Sequence, residues 1–141
     1  MKRCIFIKIL FIAICISFAS CKVNQRKNGL KTGKWVYDDK LLDVSMKSKG
    51  RYKNDFETGT WKEYIGNRLI SKKKYKDSIC FTKDYHNNGK IRAIGVSKMI
   101  VDGNTIHWFL SGEWKFYDSE GVLLGTKIYE KGTPIQETYI E

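Results

Sequence analysis

Histidine and cysteine are scarce in this chain, and each shortage excludes a class of protein. There are 4 cysteines in 141 residues, too few for a disulfide-rich scaffold. The two histidines, His86 and His107, have no metal ligand at a suitable spacing, so we expect no metal and no cofactor. No phosphate loop and no Gly-x-Ser-x-Gly motif occurs. No reaction can therefore be read from the residues, and we do not expect an enzyme.

Acidic residues are outnumbered, with 15 Asp and Glu against 26 Lys and Arg, which gives a formal net charge of +11. A hydrophobic content of 42% is too high for a disordered chain. The length allows one domain or a short array of repeats.

The first twenty residues have the pattern of a secretory signal peptide. Lys2 and Arg3 precede an apolar run at residues 9–18, and small residues follow it. The run is too short for a spanning helix, which needs roughly 20 apolar residues.

Cys21 gives this N-terminal segment a more specific interpretation. Phe18-Ala19-Ser20-Cys21 resembles the lipobox of bacterial lipoproteins, with Phe18 where that family usually has Leu. The resemblance implies a diacylglyceryl group on the Cys21 thiol and cleavage just before it. The alternative is an ordinary cleaved signal with an incidental cysteine. We therefore expect a signal peptide at 1–20, a lipidated cysteine and basic tether at 21–28, and a β-repeat domain at 29–141.

The segment after Cys21 is basic and poor in apolar residues. Residues 22–34 contain five Lys or Arg and no acidic residue, and at least 22–28 should be a flexible linker. Beside a lipid anchor, each charge would contribute on the order of 1 kcal/mol of attraction to anionic headgroups. The segment would then contact the membrane, although solubility alone also explains its composition.

The remainder of the chain repeats a short motif. Gly-x-Trp occurs at Trp35, Trp61 and Trp114, and these residues are 26 and 53 positions apart. A degenerate copy at 85–91 keeps a tyrosine and a turn but lacks the Gly-x-Trp opening. A fixed period of this size is typical of a repeat architecture.

Each repeat has the composition of a β-hairpin. Aromatic and β-branched runs are joined by turns containing Gly, Asn or Asp, and Gly66, Gly89 and Gly121 should supply positive φ there. No convincing helical periodicity follows residue 21.

Gly-x-Trp-x-x-Tyr, a turn ending in Gly and an apolar-basic strand together resemble the MORN-type repeat. The most similar variant occurs in bacterial proteins described as YwqK-like antitoxin components. The resemblance covers roughly residues 29–132. It implies an all-β fold, an elongated single antiparallel twisted sheet of successive hairpins, which an N-terminal signal helix would precede. Residues 99–109 are inserted before the last copy, so we expect a bend or irregularity there.

The aromatic residues of the repeats should form the core. We expect Trp35, Trp61 and Trp114 to stack along one face, with a neighbouring row of tyrosines at Tyr37, Tyr64, Tyr85 and Tyr117. The alternative is a surface on which sugars or bases stack. Trp108 lies outside the repeat register and is the aromatic most suspected of an exposed or partner-contacting role.

A basic run is the strongest local charge feature, and it comprises Lys72, Lys73, Lys74 and Lys76. On a strand these side chains alternate between the faces. They either mark an edge strand or contact an anionic partner, such as phospholipid headgroups, surface polysaccharide or an acidic protein. We expect no nucleic acid, because an exported chain rarely meets it.

The function expected from these features is non-catalytic binding or scaffolding at the bacterial envelope, facing the periplasm or the exterior. One alternative is a neutraliser of a toxin or effector, which the family label implies. Another is an enzyme acting on envelope glycans, which requires a groove with two carboxylates. Cys80 should be a buried, inert thiol, and His86 in its turn should be solvated. A nucleophile pair of Cys80 with His86 or His107 requires the fold to bring them together.

Overall fold

The computed structural model describes residues 22–41, 43–103 and 105–140. The predicted signal helix and the predicted lipidation site Cys21 lie outside these residues.

Ten strands follow one another along the chain. They are β1 Gln25–Lys27, β2 Leu30–Leu41, β3 Val44–Lys53, β4 Phe56–Ile65, β5 Arg68–Lys76, β6 Ile79–Tyr85, β7 Ile91–Asp102, β8 Thr105–Tyr117, β9 Leu123–Glu130 and β10 Thr133–Tyr139. Each strand pairs antiparallel with the next, in one sheet whose strand order is the chain order. The described residues contain no helix. The prediction of an all-β single antiparallel sheet of successive hairpins is confirmed.

Tight turns with left-handed residues join the strands. Gly66, Gly89 and Gly121 have φ of 57°, 82° and 87°, as the turn composition predicted. In the turn between β3 and β4, Asn54 and Asp55 both have positive φ, at 51° and 67°. Two such residues make a turn whose twist matches that of the flanking strands.

The sheet begins inside the segment predicted as a flexible tether. Gln25 pairs with Thr32 at the start of the β1–β2 ladder. Before it, the Asn24 side chain donates a hydrogen bond to the Val36 carbonyl at 2.9 Å and accepts one from the Val36 N–H at 2.7 Å. Residues 24–27 are therefore attached to the sheet.

The two faces of the sheet differ in chemistry. The tryptophan face carries the buried rings of Trp35, Trp61 and Trp114, as the repeat pattern predicted. Tyr52 lies between the first two rings, with centroids 5.6 Å from Trp35 and 5.0 Å from Trp61, both edge to face. The opposite side, here called the lysine face, carries the paired side chains of Lys49, Lys62, Lys72 and Lys83.

The expected row of tyrosines is wrong. Tyr37 follows Trp35 by two residues and lies on the same face, with its ring 5.9 Å from that of Trp35. Tyr64 follows Trp61 by three residues, and successive side chains alternate between faces. Its ring therefore lies on the lysine face, 4.9 Å from Lys49 Nζ.

In two of the repeats, the tryptophan packs over a glycine of the preceding strand. A Cβ on Gly50 would overlap the ring of Trp61, and a Cβ on Gly95 would overlap that of Trp114. The indole N–H of each ring then donates to the carbonyl of the residue after the glycine. Trp61 donates to Arg51 at 3.1 Å and Trp114 to Val96 at 2.9 Å. A register shift occurs at both glycines.

The insertion at residues 99–109 lengthens a hairpin and does not disturb the sheet. Strands β7 and β8 stay in register along this hairpin: Met99 pairs with Trp108, Val101 with Ile106, and Asp102 with Thr105. The expected irregularity is therefore wrong, because the inserted residues pair with one another.

We predict that Gly50→Ala lowers the free energy of unfolding by about 1–3 kcal/mol, because the added methyl group overpacks the site under the Trp61 ring. Denaturant unfolding followed by circular dichroism measures the change. In a Trp61→Leu background the same substitution should cost much less, because the ring it collides with is gone. Equal costs in both backgrounds would contradict the proposed overlap.

Candidate functional site

A groove lies on the tryptophan face where the degenerate repeat lacks its tryptophan. In one repeat, the pair of Lys49 and Lys62 lies next to the contact between Gly50 and Trp61. In the degenerate repeat, the pair of Lys72 and Lys83 lies next to the pair of Lys73 and Thr82. Lys73 and Thr82 thus occupy the positions that glycine and tryptophan hold in the preceding repeat. A threonine fills less space than an indole, and a groove of about 1000 Å³ lies above the buried Thr82.

The floor of the groove carries hydroxyl groups and its walls are aromatic. Ser71, Thr82 and Ser97 are buried on strands β5, β6 and β7 and line it. Tyr75 and Trp108 stand beside them, with ring centroids 5.2 Å apart in an edge-to-face contact. The lining is therefore a mixture of small polar and large aromatic side chains.

Trp108 reaches the groove because of the inserted hairpin. It pairs with Met99 in the lengthened β7–β8 ladder and is half-buried against Tyr75. The sequence suggested an exposed or partner-contacting role, and the structure places Trp108, half-buried, in the groove wall.

Two polar atoms in the groove lack a hydrogen-bond partner within the described part of the chain. They are Ser71 Oγ and Trp108 Nε1, and both are buried. Most buried polar groups in proteins are hydrogen-bonded, and leaving one unpaired costs about 1–3 kcal/mol. Both residues line the groove, and the two unpartnered atoms lie just beneath its surface.

The charged groups that line the groove occur as ion pairs. Lys73 Nζ lies 2.6 Å from Glu63 Oε1, and Arg92 lies 3.4 Å from Asp84 Oδ2. Glu63 and Asp84 are the groove carboxylates on which the glycan-enzyme alternative depends, and neither stood out in the sequence. The groove and its two carboxylates are present, and each carboxylate faces a cationic side chain.

Cys80 and His86 also line the groove, but each has a different hydrogen-bond partner. Cys80 Sγ lies 3.7 Å from Thr82 Oγ1, and burial raises the pKa of the thiol. His86 Nε2 lies 2.8 Å from the Tyr117 carbonyl oxygen. The expectation of a solvated His86 is wrong, because its ring is held against strand β8. A cysteine nucleophile needs its thiolate form, which burial disfavours.

The candidate lysines divide between the two faces. Lys73 lines the groove with Trp108, whereas the lysines that alternate with it on β5 lie on the lysine face: Lys72, Lys74 and Lys76. Strand β5 pairs with both β4 and β6, so it is an interior strand. The edge-strand interpretation of this run is therefore wrong.

Four lysines form a continuous row on the lysine face. Lys49 pairs with Lys62, Lys62 with Lys72, and Lys72 with Lys83. Like charges directly opposite each other on neighbouring strands are destabilising. Within residues 22–41, 43–103 and 105–140, none of the four forms an ion pair. The row was not visible in the sequence, because its members come from four strands.

The described residues offer neither a metal site nor a membrane-spanning helix. No group of three or more His, Cys, Asp or Glu side chains in that part of the chain is placed to hold a metal ion. Nor does it contain a helix long and apolar enough to cross a membrane.

Comparisons with known proteins return no match: no family model, no curated protein and no solved structure matches the chain. The resemblances to MORN-type repeats, to YwqK-like antitoxin components and to the lipobox therefore stay predictions from the sequence motifs.

We predict that the Cys80 thiol reacts slowly with iodoacetamide in the native protein and at an ordinary rate in guanidinium chloride. Its side chain is buried, with 3% of the residue exposed, and its raised pKa keeps it protonated at neutral pH. Mass spectrometry of the peptide containing Cys80 gives the rate. A cysteine introduced at the exposed Ser119 is the control and should react quickly in both conditions. Fast native labelling of Cys80 would contradict the prediction.

Proposed function

We propose that this protein is a non-catalytic binding module, anchored at the bacterial envelope by a lipid on Cys21. In this proposal its lysine face rests against an anionic surface and its tryptophan face points away. The observation that carries the proposal is the row of Lys49, Lys62, Lys72 and Lys83, directly paired across four strands.

A negatively charged partner lying against the row would explain why four lysines lie directly opposite one another. Neighbouring strands are about 4.8 Å apart, so the four ammonium groups span on the order of 14 Å. Near an anionic membrane each lysine contributes roughly 1 kcal/mol. That attraction offsets the repulsion between the paired charges, which the described residues do not neutralise with a carboxylate.

Exposed apolar side chains accompany the lysines. Phe81 pairs with Lys74 and with Val96 and is 48% exposed. A face that combines lysines with an exposed aromatic ring suits the boundary between headgroups and acyl chains. This combination favours a lipid surface over a purely polar polysaccharide.

The lipid anchor and the basic face support each other in this proposal. A diacylglyceryl group carries two acyl chains and attaches a protein stably by itself, so the basic face would orient the domain at the surface. The basic residues of segment 22–34 begin directly after Cys21 and continue into β1 and β2. Arg26 and Lys31 of this segment lie over the Trp35 ring on the tryptophan face, so the lysine row, and not this segment, supplies the basic face.

The first test concerns the anchor. Protein purified from membranes should have an intact mass that starts at Cys21 and includes acyl chains, because the lipobox-like motif marks that thiol for modification. The Cys21→Ala variant should lose the acyl mass. An unacylated wild-type chain that starts elsewhere would contradict the anchor.

The second test concerns the lysine row. A chain of residues 22–141, which contains all ten strands, should sediment with vesicles of phosphatidylglycerol and phosphatidylcholine. The double variant Lys62→Gln, Lys72→Gln should partition about thirtyfold less, from roughly 1 kcal/mol per lysine.

The matched control for the row is Lys53→Gln with Lys131→Gln, two exposed lysines outside it. This control should lose less binding than the row variant. Equal losses, or binding that persists on phosphatidylcholine alone at high salt, would contradict a specific role for the row. Binding to an acidic polysaccharide but not to vesicles would reassign the surface that the row contacts.

A further inference from the structure

We infer that the groove on the tryptophan face binds a neutral, hydroxyl-rich ligand of the oligosaccharide class, held without covalent chemistry. The groove lies on the opposite side of the sheet from the lysine row. The inference therefore goes beyond the proposed envelope attachment and is tested separately from it.

The room for such a ligand comes from two departures from the repeat. Thr82 stands where the preceding repeat has Trp61, so no indole ring covers the sheet at that point. The longer β7–β8 hairpin adds Trp108 as a wall. The resulting volume of about 1000 Å³ is at the upper end of the roughly 300–1000 Å³ typical of small-molecule sites. A ligand of several rings fits that space better than a single sugar.

The unpartnered polar atoms point to hydroxyl groups on the ligand. Trp108 Nε1 is a donor only, whereas Ser71 Oγ both donates and accepts. Ser71 is 4% exposed and neither atom is open to the groove, so a ligand hydroxyl reaches them only when the side chains above them shift on binding. A sugar hydroxyl is both donor and acceptor, so one kind of ligand group satisfies both atoms. Binding then removes a cost that the unliganded protein bears.

The aromatic wall provides the apolar half of the recognition. Tyr75 and Trp108 meet edge to face at 5.2 Å, which fixes their relative orientation. Burial of Tyr75 raises the pKa of its phenol, so the side chain stays neutral. A pyranose ring has an apolar face of C–H groups that packs on such rings, while its hydroxyls point outward to the polar floor.

The charge balance of the groove argues for a neutral ligand. Its lining contains two ion pairs, Lys73 with Glu63 and Arg92 with Asp84. An acidic or basic ligand would have to compete with one member of a pair for its partner. A neutral ligand accepts and donates hydrogen bonds at these groups without breaking them.

A peptide strand suits this groove less well. Extended peptides bind sheets mainly by adding a strand at an edge, where backbone groups are free. Strands β5 to β8 are interior, and their backbone groups are paired with neighbouring strands. A peptide would therefore rely on side chains alone.

The test uses the full chain, purified from membranes in a detergent without a sugar headgroup. It is applied to an array of neutral and acidic glycans and short peptides. Oligomers of N-acetylglucosamine and of glucose then serve as titration probes, followed by tryptophan fluorescence and calorimetry. We expect binding to neutral glycans. Binding confined to acidic glycans or to peptides, or no binding to the array, overturns the inference.

Three variants assign the binding to the groove. Trp108→Phe keeps an aromatic ring but removes the N–H, and it should weaken binding about tenfold. Ser71→Ala should weaken binding about fivefold and at the same time raise the melting temperature, because an unsatisfied buried hydroxyl is removed. A purely structural role for Ser71 would not give these opposite effects.

The third variant fills the groove by restoring the repeat, with Lys73→Gly and Thr82→Trp together. Binding should be lost while the sheet remains folded by circular dichroism. The lysine-row variant Lys62→Gln, Lys72→Gln is the matched control and should bind glycans like the wild type. Retained binding in the filled variant, or equal loss in the control, overturns the assignment to the groove.

Discussion

The packing of a tryptophan ring over a glycine of the preceding strand is the contact on which this sheet depends. A single open sheet has no second layer to cover it, so large aromatic rings must bury the surface themselves. A flat indole lies close to the backbone only where the strand beneath has no Cβ, as at Gly50 under Trp61. The indole N–H would be left unpaired there, and it finds the carbonyl of Arg51. One arrangement thus accommodates the large ring, its close approach to the backbone and the hydrogen bond of its N–H. Gly95 and Trp114 have the same arrangement.

The candidate site arises where that contact is missing. The degenerate repeat has a lysine and a threonine at the two positions, and neither can replace an indole over a glycine. A large aromatic ring is missing there, although Ser71, Thr82 and Ser97 are still buried. The lengthened hairpin between β7 and β8 then adds a wall, and buried polar atoms are left without partners. The departure from the repeat pattern thus produces a concave site in the fold. Local departures of this kind commonly mark function.

The two faces divide the proposed functions between them. Alternation along a strand sends Lys73 into the groove and its neighbours Lys72 and Lys74 to the other side. The same four-residue run therefore contributes to both surfaces. Two ion pairs line the groove on one face, and a row of four lysines without an ion pair among the described residues lies on the other. Such a sheet can face a charged surface on one side and a neutral ligand on the other without interference between them.

The sequence by itself determined the strands, the turns and the all-β class. Those features follow from local chemistry, such as the period-two alternation and glycine at positive φ in the turns, which Gly66 shows. It also determined that Trp35, Trp61 and Trp114 share a face. Tyr64 could have been assigned correctly by counting residues from Trp61. The groove and the lysine row were decided only by the tertiary structure. Each depends on which residues of different strands lie opposite one another, and that register is set by bulges and hairpin lengths far apart in the chain.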